Sequence, residues 1–341
     1  MQRYLITAIT AAVLSGVWTQ ASSPAPVLLS AASSGNSASE VRVPVELGNL
    51  LHLRSLRDGT VVVVDATRHR LVLLQAAPKW LGGIGNGPGE LYYPFDVAEG
   101  QDGTLLVLED GNARVQVMDR AGAFRRAFAY RQPAYSILAL SREDILIAHP
   151  ELTGSVDVYN SHGVRVQTIG GDAGRVAIET AGHPIVLDDR LRRGLMRVHL
   201  AADQRGGFWL AYMHLPVVQR FDSRGTLLWT KKIALESLKK VVSAVWKQPP
   251  DRELMSLGDG SIQLTLVIKA VASTSQDGLV LLLGDDSLIR VTAEGIVQSV
   301  SIRGPGNGAL NSIAVTFTGD ILATQFLGRK VLQVAGTSVR N

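Results

Sequence analysis

Two histidines and an aspartate have the types and spacing that could do chemistry in this 341-residue chain: His52, Asp96 and His199. Each stands seven residues before a turn glycine, at Gly59, Gly103 and Gly206. Imidazole nitrogens and a carboxylate are ligands for a divalent cation, and a metal so held acidifies a bound water toward neutral pH, making it a nucleophile or base. Three such ligands suit zinc better than calcium, which takes six to eight oxygens. The same offset gives Ser136 from Glu143, Val271 from Gly278 and Ser312 from Gly319, while anchoring on Gly207 would replace His199 by Leu200. The competing expectation is that each histidine is a hydrogen-bonded strand residue. His69, His149, His162, His183 and His214 have no nearby partner set, and no H-E-x-x-H, G-x-S-x-G or calcium-loop spacing occurs. The chain has no cysteine, which excludes disulfides, thiolate zinc sites and a catalytic thiol.

For such residues to converge, repeated elements must bring the chain back to one axis. Six segments share a pattern of turn, short β-rich run, polar break and second run. DGTVVVVDATRHRLVLL starts at Asp58, DGTLLVLEDGNARVQVMDRAG at Asp102 and EDILIAHPELTGSVDVYNSHG at Glu143. GGFWLAYMHLPVVQRFDSRG starts at Gly206, DGLVLLLGDDSLIRVTAEG at Asp277 and GDILATQFLGRKVLQV at Gly319. Their anchors lie 44, 40, 63, 72 and 41 residues apart, and three of these intervals match the forty-residue period of a four-stranded propeller blade. Val, Leu and Ile runs bounded by turn formers suit a packed pleated surface. The expected fold is all-β: a six-bladed β-propeller of four-stranded antiparallel blades. VRVPVEL, Val41 to Leu47, is expected to complete the last blade and close the ring. An insertion around 226–276 carries Leu235, Leu238, Val242 and Val245 at helical spacing, stopped by Pro249 and Pro250. Trp209, Tyr212, Trp229 and Trp246 are expected to fill gaps between blades.

The stretch GGIGNGPGELYYP, Gly82 to Pro94, raises the question of a phosphate cradle. Glu90 stands where a dinucleotide fingerprint needs its third glycine, Pro88 lacks a backbone N–H, and the following residues read as strand rather than helix. It is therefore expected to connect two blades. From Gly85 to Gly122 the chain resembles an NHL repeat: Gly-Pro-Gly-Glu, Pro, an apolar strand, Asp-Gly, a second strand, then Asp110, Asn112 and Arg114 before a third. Asp65, His69 and Arg70 keep part of that motif in the first blade, and RGPGNGALNSIAV echoes the glycine-rich turn in the last. The resemblance is to secreted six-bladed NHL-type propellers, and it is weak over Gly163 to Asp277. It implies that Asp110, Asn112 and Arg114, and Asp65 with Arg70, knit neighbouring strands. Propeller lyases and lactonases similar to this fold hold metals in the central channel.

At the N-terminus, Arg3, an uncharged run from Tyr4 to Trp18 and small residues near Ala21 have the layout of a secretory signal peptide over 1–21, followed by a Ser/Ala/Pro-rich leader over 22–39. The run is too short for a comfortable membrane span. The expected location is secreted or periplasmic. A net charge of +4 gives no strong electrostatic footprint, and the basic run Arg190 to Arg197, without interleaved aromatics, reads as a solvated loop rather than a nucleic-acid site. The leading expectation is a monomeric, non-enzymatic recognition module binding a protein, peptide or glycan on one rim, with no cofactor. The alternative is a metal-dependent hydrolase or lyase using His52, Asp96 and His199 in the channel.

Overall fold

The computed structural model describes residues 39–334, apart from 42, 44–45, 76, 152–154, 183–188, 237, 240–241, 243–263, 276, 301–309 and 326–328. The expected signal peptide and nearly all of the leader, the helix over 235–250 except for a few positions, and the glycine-rich echo before Leu310 fall outside them.

A short strand β1 (Ser39–Val41) precedes the first blade. Blade 1 runs β2 (Leu50–Ser55), β3 (Val61–Asp65), β4 (Arg70–Leu74) and β5 (Lys79–Gly82). Blade 2 runs β6 (Pro94–Glu99), β7 (Leu105–Glu109), β8 (Arg114–Met118) and β9 (Phe124–Ala129). Blade 3 holds β10 (Ser136–Ala139), β11 (Ile145–Ala148), β12 (Val156–Tyr159) and β13 (Arg165–Ile169). Blade 4 holds β14 (Val198–Ala202), β15 (Phe208–Tyr212), β16 (Val217–Phe221) and β17 (Leu227–Lys232). Blade 5 holds β18 (Ile268–Thr274), β19 (Gly278–Leu283), β20 (Leu288–Thr292) and β21 (Val297–Val300). Blade 6 holds β22 (Leu310–Val315), β23 (Ile321–Gln325) and β24 (Lys330–Val334), and its fourth strand is β1. All pairings within the blades are antiparallel, so this is the expected six-bladed propeller. Ring closure uses residues slightly earlier than expected: Ser39, Glu40 and Val41 pair with Gln333, Leu332 and Val331.

Stacking explains the strand compositions. The second strand of every blade is packed on both faces, so VVVVD of β3, ILIA of β11 and FWLAY of β15 are wholly buried. A strand covered on both sides reads as a continuous apolar run. Fourth strands face solvent: four of the five residues of β13 are exposed. Trp209 and Tyr212 are buried in the largest core cluster, and Trp229 packs edge-on against Trp209 at 5.4 Å, as expected of gap fillers.

Four of the tight turns after a first strand close on a glycine with positive φ: Gly59 (85°), Gly103 (82°), Gly206 (89°) and Gly319 (87°). An L side chain is disfavoured there. In blade 5 that conformation falls on Asp277 (43°), not Gly278, so the offset rule that gave Val271 is one residue out.

The interval between blades 3 and 4 folds into α1 (Ala173–Ala181) and α2 (Asp189–Leu195), which the sequence did not announce. Helix α1 buries Ala173, Ala177, Ile178 and Ala181 on the third and fourth strands of blade 4, where Gln219 donates to the Ala173 carbonyl and Lys232 to that of Ala181. The basic run expected as a solvated loop is instead anchored: Leu195, Met196 and Arg197 are buried, and the Arg197 guanidinium lies 4.7 Å over Tyr135. Apolar Leu195 and Met196 pull it inward. The second insertion is narrower than 226–276, because β17 and β18 belong to regular blades, leaving 233–267.

Candidate functional site

The first strands of the six blades neighbour one another around the axis. Five of the six offset positions, His52, Asp96, Ser136, His199 and Ser312, are structurally equivalent. The residue after each pairs with a partner ten positions later: Leu53 with Val63, Val97 with Val107, Ile137 with Ile147, Leu200 with Leu210 and Ile313 with Ala323. In blade 5 the matching pair is Val271 with Leu281, which makes Ala270 the equivalent residue and Val271 its successor. This ladder also assigns His199 rather than Leu200 to blade 4.

Three of these side chains perform one task. Ser312 Oγ accepts the Leu53 N–H at 3.0 Å, Asp96 Oδ2 the Ile137 N–H at 3.1 Å, and Ser136 Oγ the Leu200 N–H at 3.1 Å. Each stitches its blade to the next through the backbone one residue beyond the equivalent position. Such bonds satisfy first-strand donors that have no strand partner on the axial side.

Asp96 is occupied further. Arg54, two residues beyond His52 on β2, donates Nε to Oδ1 at 3.0 Å and Nη2 to Oδ2 at 2.6 Å. Ser136 Oγ donates to Oδ2 at 2.9 Å, and the Val97 N–H to Oδ1 at 2.8 Å. Burial raises the Asp96 pKa, but Arg54 and the other donors outweigh it and bring it down to about 2. Arg54 was missed at the sequence level. Its signal was the period-two spacing from His52, which puts both side chains on the same side of one strand.

His52 and His199 break the stitch. They come from blades 1 and 4, opposite each other in a six-bladed ring, and their rings meet edge-on at 6.1 Å. The imidazoles therefore stand against each other across the axis. Phe95 lies 5.6 Å from His52 and 6.1 Å from Tyr135, extending an aromatic lining. Burial holds both histidines neutral: His52 falls to about 4 although Asp96 opposes the shift, and His199 to about 3, helped by His52 and Arg54. His199 Nε2 is buried without a hydrogen-bond partner. The structure thus brings His52 and His199 together and keeps Asp96 in the same electrostatic neighbourhood. Its carboxylate, however, is committed to Arg54 and the backbone. Among the described residues no three His, Asp or Glu side chains are grouped as metal ligands.

The knitting residues hold the connection over Gly82 to Pro94. Arg114 donates to Glu109 at 2.7 Å and to the carbonyls of Asn86, Gly87 and Glu90, while Asn112 donates to Glu109 and the Gly85 carbonyl. In blade 1, Arg70 pairs with Asp65 at 3.2 Å. The acid facing Arg114 is Glu109, the ladder equivalent of Asp65, and not Asp110 as the motif suggested. Tyr92 and Tyr93 project from this connection, 44% and 37% exposed; Tyr92 stacks on His69 at 5.1 Å, and Tyr93 N–H donates to His69 Nδ1.

No protein-family model matches the chain, and no curated protein does. Solved structures match its fold. A streptogramin B lyase aligns with a TM-score of 0.53 at 10% identity, covering 87% of this chain and 96% of its own. A virginiamycin B lyase from Staphylococcus aureus aligns at 0.54 and 10% identity, covering 88% and 99%. The β-propeller domain of Cps50 (Swd1) from Myceliophteria thermophila aligns at 0.52 and 13% identity, covering 88% and 100%. At these identities the likeness is one of fold.

Proposed function

We propose that this propeller, resembling secreted NHL-type rings, is an exported, non-enzymatic recognition module that binds a protein, peptide or glycan on one rim. One observation carries the reading. Each fourth strand ends, and the next first strand begins, at one end of the ring, so 83–93 and the described ends of the two longer connections, 170–182, 189–197 and 233–236, lie at one rim. Loops set on a rigid scaffold carry recognition, and exposed Ile84, Tyr92 and Tyr93 on that rim are the residue types that anchor interfaces. Fold alone grants no activity, and the polar groups at the axis are largely spent on joining blades. The test is a pull-down from periplasmic extract with the parent protein, a Tyr92→Ala/Tyr93→Ala variant and a deletion of 235–247. A ligand kept by the parent and lost by either variant supports the reading. Repeated pull-downs without a ligand overturn it.

A second reading, a divalent-metal hydrolase or lyase in the channel, is favoured by His52 and His199 alone. Two neutral imidazoles from opposite blades, one with an unpartnered Nε2, are in the protonation state that ligates zinc. The commitment of Asp96 to Arg54 weighs against a three-residue set. Metal analysis after purification without chelator and with zinc supplied tests it. Stoichiometric metal, lost in both His52→Ala and Asp96→Ala, would put this reading first; no metal in the parent would remove it.

A further inference from the structure

The opposite end of the ring carries a different feature. Between blades 2 and 3, the turns 100–104 and 140–144 and the hairpins 119–123 and 160–164 surround a groove of about 1150 Å³. Its floor is apolar, formed by buried Leu106, Val117, Ala139 and Ile145 from facing strands of the two blades. Acids line its wall, but each is engaged. Asp119 accepts the N–H groups of Ala121 and Ala123 and pairs with Arg125, Asp102 accepts from Thr104, and Glu143 accepts from Ser161.

Two of the cations, Arg126 and Arg142, form no ion pair or side-chain hydrogen bond among the described residues. Arg142 is exposed. Arg126 lies over the Phe128 ring at 5.5 Å, and its Nη1 is sealed from solvent with no acceptor. The side chain is half-buried, and burial pulls its pKa below the ordinary arginine value although the Asp102 carboxylate opposes the shift. The part of the Arg126 guanidinium that lines the groove, with exposed Arg142 beside the same groove, can take an oxygen acceptor carrying negative charge.

We infer that this groove binds a small organic oxyanion, a carboxylate or phosphate monoester, with its charged head between Arg126 and Arg142 and its apolar part on the floor formed by Leu106, Val117, Ala139 and Ile145. Guanidinium suits both heads because its planar fork matches two oxygens at once. The site is separate from the rim bearing the long connections.

Calorimetric titration of the full chain with hexanoate, hexyl phosphate, inorganic phosphate and hexanol tests it. Either hexyl anion should bind while hexanol does not, and which one binds identifies the head group. Arg126→Gln and Arg142→Gln should each weaken binding by about tenfold or more, the loss expected for a charged hydrogen bond; Arg175→Gln, on α1, should not. Arg126→Met should lose binding and melt at or above the parent temperature, because the unpartnered donor is gone. The proposal is overturned if neither hexyl anion binds at millimolar concentration, including the case where only inorganic phosphate binds. It is also overturned if the glutamine variants bind like the parent, or if Arg126→Met melts well below it, which would make Arg126 a fold residue.

Discussion

Asp96 was legible in the sequence as a place but not as a role. Counting back from the turn anchors, four glycines and Glu143, found the axial position in five blades, because the first strand and its turn keep a constant length there. What the carboxylate does depends on Arg54 across a blade boundary, 42 residues away, and no local spacing reveals that partner. The ion pair makes a sharp prediction. Asp96 is fully buried, and Arg54→Ala would strand its charge, so urea unfolding should show a loss of about 3–5 kcal/mol. Replacing both Arg54 and Asp96 by leucine should cost less than the single change, because no charge is left unpaired. The acid dependence has a definite sign. The folded pKa lies below the ordinary 3.8, so the stabilisation is complete above that value and is lost as pH falls toward about 2. Arg54→Ala should therefore abolish most of the stability change in that window.

Strands were the readable elements, since burial on both faces forces unbroken Val, Leu and Ile runs that turn residues punctuate. Helix α1 was not readable. AGRVAIETA presents alanines with one isoleucine to the blade, a face too weakly apolar to stand out, and it holds because blade 4 supplies the partners Gln219 and Lys232. The closing strand was found but misplaced by a few residues, because VRVPVEL has the stronger β composition while Ser39–Val41 has the register. Its three residues complete the fourth-strand position of blade 6, and Val41 enters the core with Ala314, Leu322 and Val331. Removing residues 1–41 should uncover the β24 edge, lower the melting temperature and promote aggregation on heating, measurable by light scattering. The exposed Lys330–Glu40 pair is a bystander by comparison: Lys330→Ala should change stability by less than about 1 kcal/mol.

Across the whole ring, buried histidines set the acid limit. His52 and His214 are held near 4 and His199 near 3 by burial, and His149 also lies below its ordinary value for that reason. Below pH 6.5 the unfolded chain takes up protons that the folded ring refuses. Stability is therefore full above that pH and falls toward pH 4 by about 1.4 kcal/mol per pH unit for each such histidine. Melting temperatures recorded from pH 7 to pH 5 should drop steadily, and replacing His52 and His199 together by leucine should roughly halve the slope. Six blades were expected from six repeated segments, although only three of their five intervals fit the period and the count over 163–277 stayed open. Which of the axial residues join blades and which meet across the axis was not legible, because that depends on the order in which the ring sets them opposite one another. The joint of blade 6 also imposes a clock. Glu40 and Lys330, bonded across that joint, are 290 positions apart. A chain made from its N-terminus at about 5–20 residues per second holds β1 without its partner for roughly 15–60 s. The earliest strand of the ring is thus among the last to be paired, and a chain interrupted just before residue 330 has the other five blades but no clasp.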